Sequence, residues 1–403
     1  MSWRNHILFA AVIVMLISLF VSRAALSVSI IFFTTFSFIH RDIKGHIKNF
    51  FTTPLLWAMS LLFLLPLVSG IWSDDKARWM DITRIKLPLF FLPLAFAGPI
   101  VFSKKYYDLI VYSFIVLVAA GSIWCMFHYL LDMQAVNQNY LKAKTIITPL
   151  ENDHVRFSWL VSIAVLLAGW TGNLKRNENK LFSRILFFIM IWLIVFLHIL
   201  AARTGLFSFY IMLFILAVWL IIKKMKWLYG AALLITLVTL PFMAYYILPS
   251  FQNRVKYIRY DLGYFKEAHY LPEANDAVRV ISMNAGWSLL KENPVKGVGF
   301  GDIATATEEW DKVNYPGMKE SDKIYPSSEW LIYGAGSGIP GILIFTFCIM
   351  VPFFTKTKNR MLWLLLNMTS AFSFLFDIGL EVQFGVFIYS FLILWWYKWL
   401  NAE

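Results

Sequence analysis

The stretch ILFFIMIWLIVFLHIL AARTG LFSFYIMLFILAVWLII, residues 185–222, decides the fold. Two apolar runs, each close to the roughly 20 residues that cross a bilayer as a helix, meet at five residues carrying a single charge, Arg203. Such a pair reads as two membrane helices joined by a tight turn. Working outward, similar runs stand near 6–21, 24–39, 53–71, 86–102, 107–131, 156–171, 183–201, 205–222, 228–248, 336–354, 361–378 and 383–399. The expectation is an all-α polytopic membrane protein of about 12 transmembrane helices. The whole chain agrees: 59% of its 403 residues are hydrophobic and only 15% charged, a balance that a soluble domain cannot bury. Aromatic residues reach 18%, as expected where side chains collect at the headgroup level.

The net charge of +12 does not point to nucleic acid, because the basic residues are dispersed in the connections rather than gathered on one stretch. With the N-terminus inside, the cytoplasmic segments carry about 17 Lys and Arg and the opposite short loops about 9, the bias that sets orientation. Both termini are then cytoplasmic. Cys125 and Cys348 lie inside apolar runs, which makes them packing residues. The first apolar run lacks a small-x-small cleavage site and is expected to stay as a helix.

One connection is far longer than a typical loop. The chain therefore divides into a bundle of helices 1–9 (1–248), a long outer loop containing short helices (249–337), and helices 10–12 (338–403). The start of the loop, Tyr257 to Tyr270, mixes aromatic and charged residues as an interfacial segment does. Its middle predicts a helix: Asn275 or Asp276 as N-cap, apolar Val278, Ile281, Ala285 and Leu289, and a stop at Pro294 and Gly297. The glycines at 297, 299 and 301 could suggest a nucleotide loop, but no βαβ unit surrounds them, so a tight turn is the better reading.

Charges at membrane depth are costly and therefore informative. Arg203 has no acidic neighbour in sequence; it either snorkels to the headgroups or grips an anion with its planar fork. Arg279 falls in the first turn of the predicted loop helix, where free N–H groups reinforce its charge, or else it is merely solvated. His154 and Arg156 stand at the entry to the sixth helix, placed for acid–base or anion-binding work or for capping. Arg78, Arg84 and Lys86 fall on the outer side, where basic residues are not favoured, and Asp377 and Glu381 flank the last bend.

These landmarks together resemble the O-antigen ligase and O-antigen polymerase superfamily of bacterial inner membranes. The likeness is carried by the Arg-Thr-Gly at Arg203, by Arg279 with Trp287, by the turn from Asn293 to Gly301, and by Pro326 to Leu331 leading into Gly338 and Gly341. The resemblance implies transfer of a glycan from an undecaprenyl-pyrophosphate carrier to a sugar hydroxyl at the periplasmic face. The acceptor would be a lipid A core in ligases or another glycan unit in polymerases. It implies that Arg203 and Arg279 bind the pyrophosphate, with Arg156 and Arg78 as auxiliaries. No cofactor and no metal are expected, since Asp, Glu and His do not cluster at ligand spacing. Where the family places a histidine, this chain has Ser327 and Ser328, which are poor bases near neutral pH. Glu329 is the nearest substitute and His154 the second; acceptor positioning without a base is the third course. Two other classes compete, a secondary transporter and a non-catalytic cell-envelope scaffold. Transport would call for repeats and polar groups at mid-membrane, which the sequence does not display.

Overall fold

The computed structural model describes residues 3–142, 144–266, 270, 272 and 275–402, with the side chains of residues 265 and 275 outside that description. Among the described residues the regular structure is entirely helical. In chain order the helices are α1 (Trp3–Val21), α2 (Arg23–Ser37), α3 (Ile43–Thr52), α4 (Pro54–Ser69), α5 (Lys76–Lys86), α6 (Pro88–Phe96) and α7 (Lys104–Leu131). Next come α8 (Met133–Tyr140), the single turn α9 (Pro149–Asn152), α10 (His154–Lys175), α11 (Lys180–Leu200), α12 (Arg203–Ile222) and α13 (Trp227–Ile247). The chain ends with α14 (Pro249–Lys266), α15 (Asn275–Glu292), α16 (Ile303–Asn314), α17 (Glu329–Phe354), α18 (Arg360–Phe376) and α19 (Gln383–Asn401).

Among the described residues seven helices are long and apolar enough to cross a membrane: α1, α7, α10, α11, α12, α13 and α17. The α3–α4 pair, bent by 80°, makes an eighth if taken as one span. The apolar helices α2 and α18 are shorter. The apolar run expected at 86–102 contains only the 9-residue α6, about 14 Å of helix. Pro88, Pro93 and the Gly98–Pro99 pair explain the interruption, because proline removes a helical donor and clashes with the preceding turn. Hydropathy alone does not register that break.

Contacts divide the chain into two compact units. The first comprises Met1–Met15, Arg23–Tyr107 and Asp261–Glu403, and the second Leu16–Ser22 and Asp108–Tyr260. In the first unit α17 packs on α4, and the Tyr333 hydroxyl donates to the Leu62 carbonyl at 2.6 Å. Rings of Phe300, Tyr333, Phe345, Phe374 and Tyr389 follow one another at 4.6–6.2 Å between centroids, an aromatic spine through the core. Helix α17 is broken at Ser337–Gly338, and the turn 293–301 docks into the break. Val298 N–H donates to Ala335 O, Gly299 N–H to Gly336 O, and Ile339 N–H to Pro294 O. Gly297 and Gly299 both have positive φ, so the reading as a tight turn holds.

In the second unit α10 pairs with α11 and α12, and α12 with α13. The α11–α12 connection is as short as the sequence suggests: Ala201 takes a left-handed conformation at φ 49° and Ala202 precedes α12. Gly205 N–H donates to Ser158 Oγ at 3.1 Å, and a Cβ at 205 would come within 2.4 Å of the Ser158 carbonyl oxygen. Glycine is what lets α12 approach α10 this closely.

The predicted loop helix is α15, with Val278, Ile281, Ala285 and Leu289 all buried. Its first turn is also held from a distance. Asp261 supplies the carboxylate that accepts the Asp276 and Ala277 N–H groups, at 2.7 and 3.4 Å. The side chain of Asn275, the alternative cap, lies outside the described residues. Beside it, in α16, Asp311 is 1% exposed, and burial pushes its carboxyl up to about 6 against the opposing pull of Lys323. The folded state thus holds this proton more tightly than the unfolded chain, and the stability it confers is lost as pH rises from about 4 through 6. Asp311→Asn is expected to protect the α16 amides at pH 8 by about 2 kcal/mol, and to give no gain at pH 4, in hydrogen exchange of the solubilised protein. Equal effects at both pH values would remove the charge argument.

Candidate active site

Two groups of polar residues stand out, one in each unit. In the first, α15 presents Arg279 and, one turn on, Ser282. Arg279 is half-buried and its Nη1 donates to the Phe376 carbonyl at 3.2 Å. Ser282 Oγ donates to the Arg279 carbonyl and lies 3.0 Å from Ser327 Oγ, while Ser327 N–H donates back to Ser282 Oγ at 3.2 Å. Ser282 thus bonds both to Ser327, which is far away in sequence, and to the backbone of α15 at Arg279.

Ser328 is the N-cap residue of α17, and Glu329 is its first residue. Glu329 is fully buried: Oε1 accepts the Leu380 N–H at 2.5 Å, and Oε2 makes no hydrogen bond. Leu380 belongs to the 377–382 turn between α18 and α19, and the same turn meets Lys86 at the end of α5. Lys86 Nζ donates to Glu381 Oε1 at 2.5 Å and to Leu380 O at 2.9 Å. The ammonium also faces the Tyr333 ring at 5.2 Å and the Phe300 ring at 5.8 Å. A cation, two carboxylates and two aromatic faces thus form a sealed knot that ties α5, α17 and the α18–α19 turn together.

Arg78 is placed by a chain of caps. The Asp302 carboxylate accepts the Asp74 and Asp75 N–H groups, each at 2.8 Å, and Asp75 in turn caps α5 by accepting the Arg78 N–H at 2.9 Å. Arg78 and Glu381 both act on the Tyr325 hydroxyl, whose pKa burial pushes up to about 12. Of the residues predicted from the sequence, Arg78, Arg279 and Glu329 therefore belong to this unit.

Arg203, Arg156 and His154 belong to the other. Arg156 and Arg203 each stand two residues before the Ser158–Gly205 contact, so the starts of α10 and α12 bring them to one end of the unit. Both helix N-termini add positive potential there. Arg156 is buried, with Asp153 3.5 Å from its Nη1, and His154 is half-buried. The chain enters α10 through Leu150, Glu151 and Asn152, all with positive φ of 56–68°, a conformation costly for side-chain-bearing residues.

The sequence reading passed over several members of these groups. Ser282 and Tyr325 carry no sequence signal of their own. Arg254, 5% exposed with its guanidinium 5.4 Å from the Tyr257 ring, stands just before the segment read as interfacial and was not singled out. Glu381, which the sequence places only at the flank of the last bend, pairs with Lys86. Lys86 was read only as an outer-side basic residue, although its place directly before the apolar run Leu87–Phe96 marks it further.

Comparison with known proteins supplies the context. Residues 185–346 match the family model described as O-Antigen ligase, about two fifths of the chain, while no curated protein matches. The matched stretch contains Arg203, Arg279, Ser327 and Glu329, and excludes Arg78, Lys86, His154 and Arg156. This membrane chain carries an O-antigen ligase domain over residues 185–346, and that domain supports its place in the O-antigen ligase superfamily.

Proposed function

We propose that the protein transfers a glycan from an undecaprenyl-pyrophosphate carrier to a sugar hydroxyl of a lipid A core or another glycan, at the periplasmic face of the inner membrane. The observation that carries this reading is the O-antigen ligase match, which spans both Arg203 and Arg279, with Ser282 bonding both to the Arg279 carbonyl and to Ser327. In the reaction the acceptor oxygen attacks the anomeric carbon from the side opposite the carrier. The C–O bond to the pyrophosphate breaks, and its electron pair leaves with the phosphate. Guanidinium groups fixed before the reaction stabilise that growing charge. Arg203 and Arg279 take this role, with Arg156 and Arg78 as auxiliaries. The acceptor's proton passes to Glu329 or, from the second unit, His154. Glu329 is the first choice because it lies two residues from Ser327, and its use requires the turn bonded to it to part.

The test is complementation of a deletion strain, reading glycan profiles at matched membrane abundance. Arg203→Ala and Arg279→Ala are each expected to lower product about 10²–10³-fold, with Lys replacements recovering only part. Glu329→Gln with retained abundance separates a proton acceptor from a purely structural group. Normal profiles from both arginine variants would overturn the reading and leave transport or a scaffold role.

A further inference from the structure

A small cavity in the first unit takes no part in the proposed chemistry. Its volume is about 110 Å³, and it lies between the α3–α4 elbow, the end of α6 and the last turns of α19. Since one water needs on the order of 15 Å³ of such free space, the cavity admits a phosphate-sized group. Leu56, Phe96 and Leu394 form its buried apolar side. The other side is polar. Asn49 Nδ2 donates to the Ala97 carbonyl at 2.6 Å and Asn49 Oδ1 accepts the Thr53 hydroxyl at 3.1 Å, so the amide has a second N–H to give. Lys398 is half-buried here, and among the described residues neither its ammonium nor the Tyr397 hydroxyl is hydrogen-bonded. No carboxylate lines the cavity among the described residues, so an ammonium, a hydroxyl and an amide converge without an acceptor charge.

We propose that this cavity binds the phosphate of an anionic glycerophospholipid, held by Lys398 and Tyr397. The neighbouring helix selects a lipid over a free anion. α3 is bent by 80° from the apolar α4, so with α4 running across the membrane α3 lies along its surface. Its sequence suits that place. Ile43, Ile47 and Phe51 recur every four residues and are exposed as an apolar stripe, while His46 and Phe50 are buried against the protein. Lys44 and Lys48, each one residue beyond an isoleucine of the stripe, are exposed along its border. Such a stripe rests among acyl chains with its lysines at the level of the phosphates. The cavity stands at the same level, because Asn49 and Thr53 belong to the end of α3 and the elbow that follows it. A net negative headgroup answers all three lysines, whereas a zwitterionic one brings its own cation among them. In the orientation that the charge bias implies this is the cytoplasmic end of the unit, and about 22 Å of α19 separates Lys398 from Gln383 beside the knot. The assignment therefore does not rest on glycan transfer and leaves Arg203 and Arg279 to their own role.

The experiment is native mass spectrometry of the detergent-solubilised full chain offered phosphatidylglycerol and phosphatidylcholine with identical acyl chains, with and without inorganic phosphate. Wild type is expected to retain phosphatidylglycerol about tenfold over phosphatidylcholine and to keep it when phosphate is added. Lys398→Gln should cut that retention about tenfold, and Tyr397→Phe severalfold. Lys44→Gln and Lys48→Gln, at exposed positions that spare the fold, should each cost about fivefold. Lys358→Gln, exposed in the α17–α18 connection and carrying the same change of charge, should retain lipid as wild type does. Equal retention of the two lipids by wild type, undiminished retention in Lys398→Gln, or an equal loss in Lys358→Gln would overturn the site. Release of the lipid by inorganic phosphate would overturn the lipid as occupant and leave a pocket for small anions. Because this readout needs no glycan and no turnover, it is independent of the arginine complementation.

Discussion

Lys86→Met is expected to cost on the order of 3–5 kcal/mol, seen as a sharp fall in thermal stability of the solubilised protein and in its membrane abundance. The reason is the asymmetry of buried ion pairs. Lys86 has no exposed surface, and among the described residues its ammonium is the only cation bonded to Glu381, which lies next to the Leu380 N–H held by Glu329. Without it, carboxylates in a sealed pocket lose their countercharge and cannot turn to water. The pair itself contributes far less than its rupture costs, because both ions were desolvated to make it. Lys86→Met combined with Glu381→Met should therefore recover most of the loss. If the double variant were no better than the single, the cost would lie in packing against Tyr333 and Phe300 instead.

The second large effect is expected at the broken helix. Gly338 has φ 68° and ψ −159°, a region essentially closed to residues with a Cβ. An alanine there would place its Cβ 2.5 Å from the Pro294 oxygen, the same atom that accepts the Ile339 N–H. Gly297→Ala is comparable: at φ 67°, its Cβ would lie 2.4 Å from both Ala335 O and Ser337 N. None of these neighbours is the free end of a side chain, so the backbone must move. Either variant should lose about 3 kcal/mol or more and expose the 293–301 turn to protease. Gly317→Ala is the control, since its Cβ would meet nothing within 4 Å, and it should stay within about 0.5 kcal/mol of wild type. Equal protease resistance in all three would mean that the docked turn is not a structural lock.

Much of this architecture was legible in the sequence, for reasons that differ by element. The α11–α12 turn could be read because apolar length and one charge suffice to mark it. Helix α15 could be read because its buried face repeats every three to four residues and a proline stops it. The glycine turn was recognisable by what it lacked, a βαβ surrounding. Other features were closed to that reading. Asp261 caps α15 from 15 residues away, and no rule of local capping reaches so far. Lys86 and Glu381 are separated by 295 positions, so nothing near either residue announces the other. The site itself was half visible. Arg279 and Arg203 stood out as charges beside apolar or helical segments, whereas Ser282 and Tyr325 acquire meaning only when the fold sets them against Ser327 and Arg78.

The separation between Lys86 and its partner also bears on how the chain is made. As the polypeptide leaves the ribosome, α5 is delivered to the membrane with its terminal ammonium long before the α18–α19 hairpin exists. Until then the charge has no protein countercharge from that hairpin and must reach toward headgroups along its own methylene stem. Arrival of the α18–α19 hairpin neutralises it and completes the knot with the aromatic faces. That hairpin, made nearly 300 residues after α5, thus acts as the latch of assembly for this unit, which stays open and cationic until it docks.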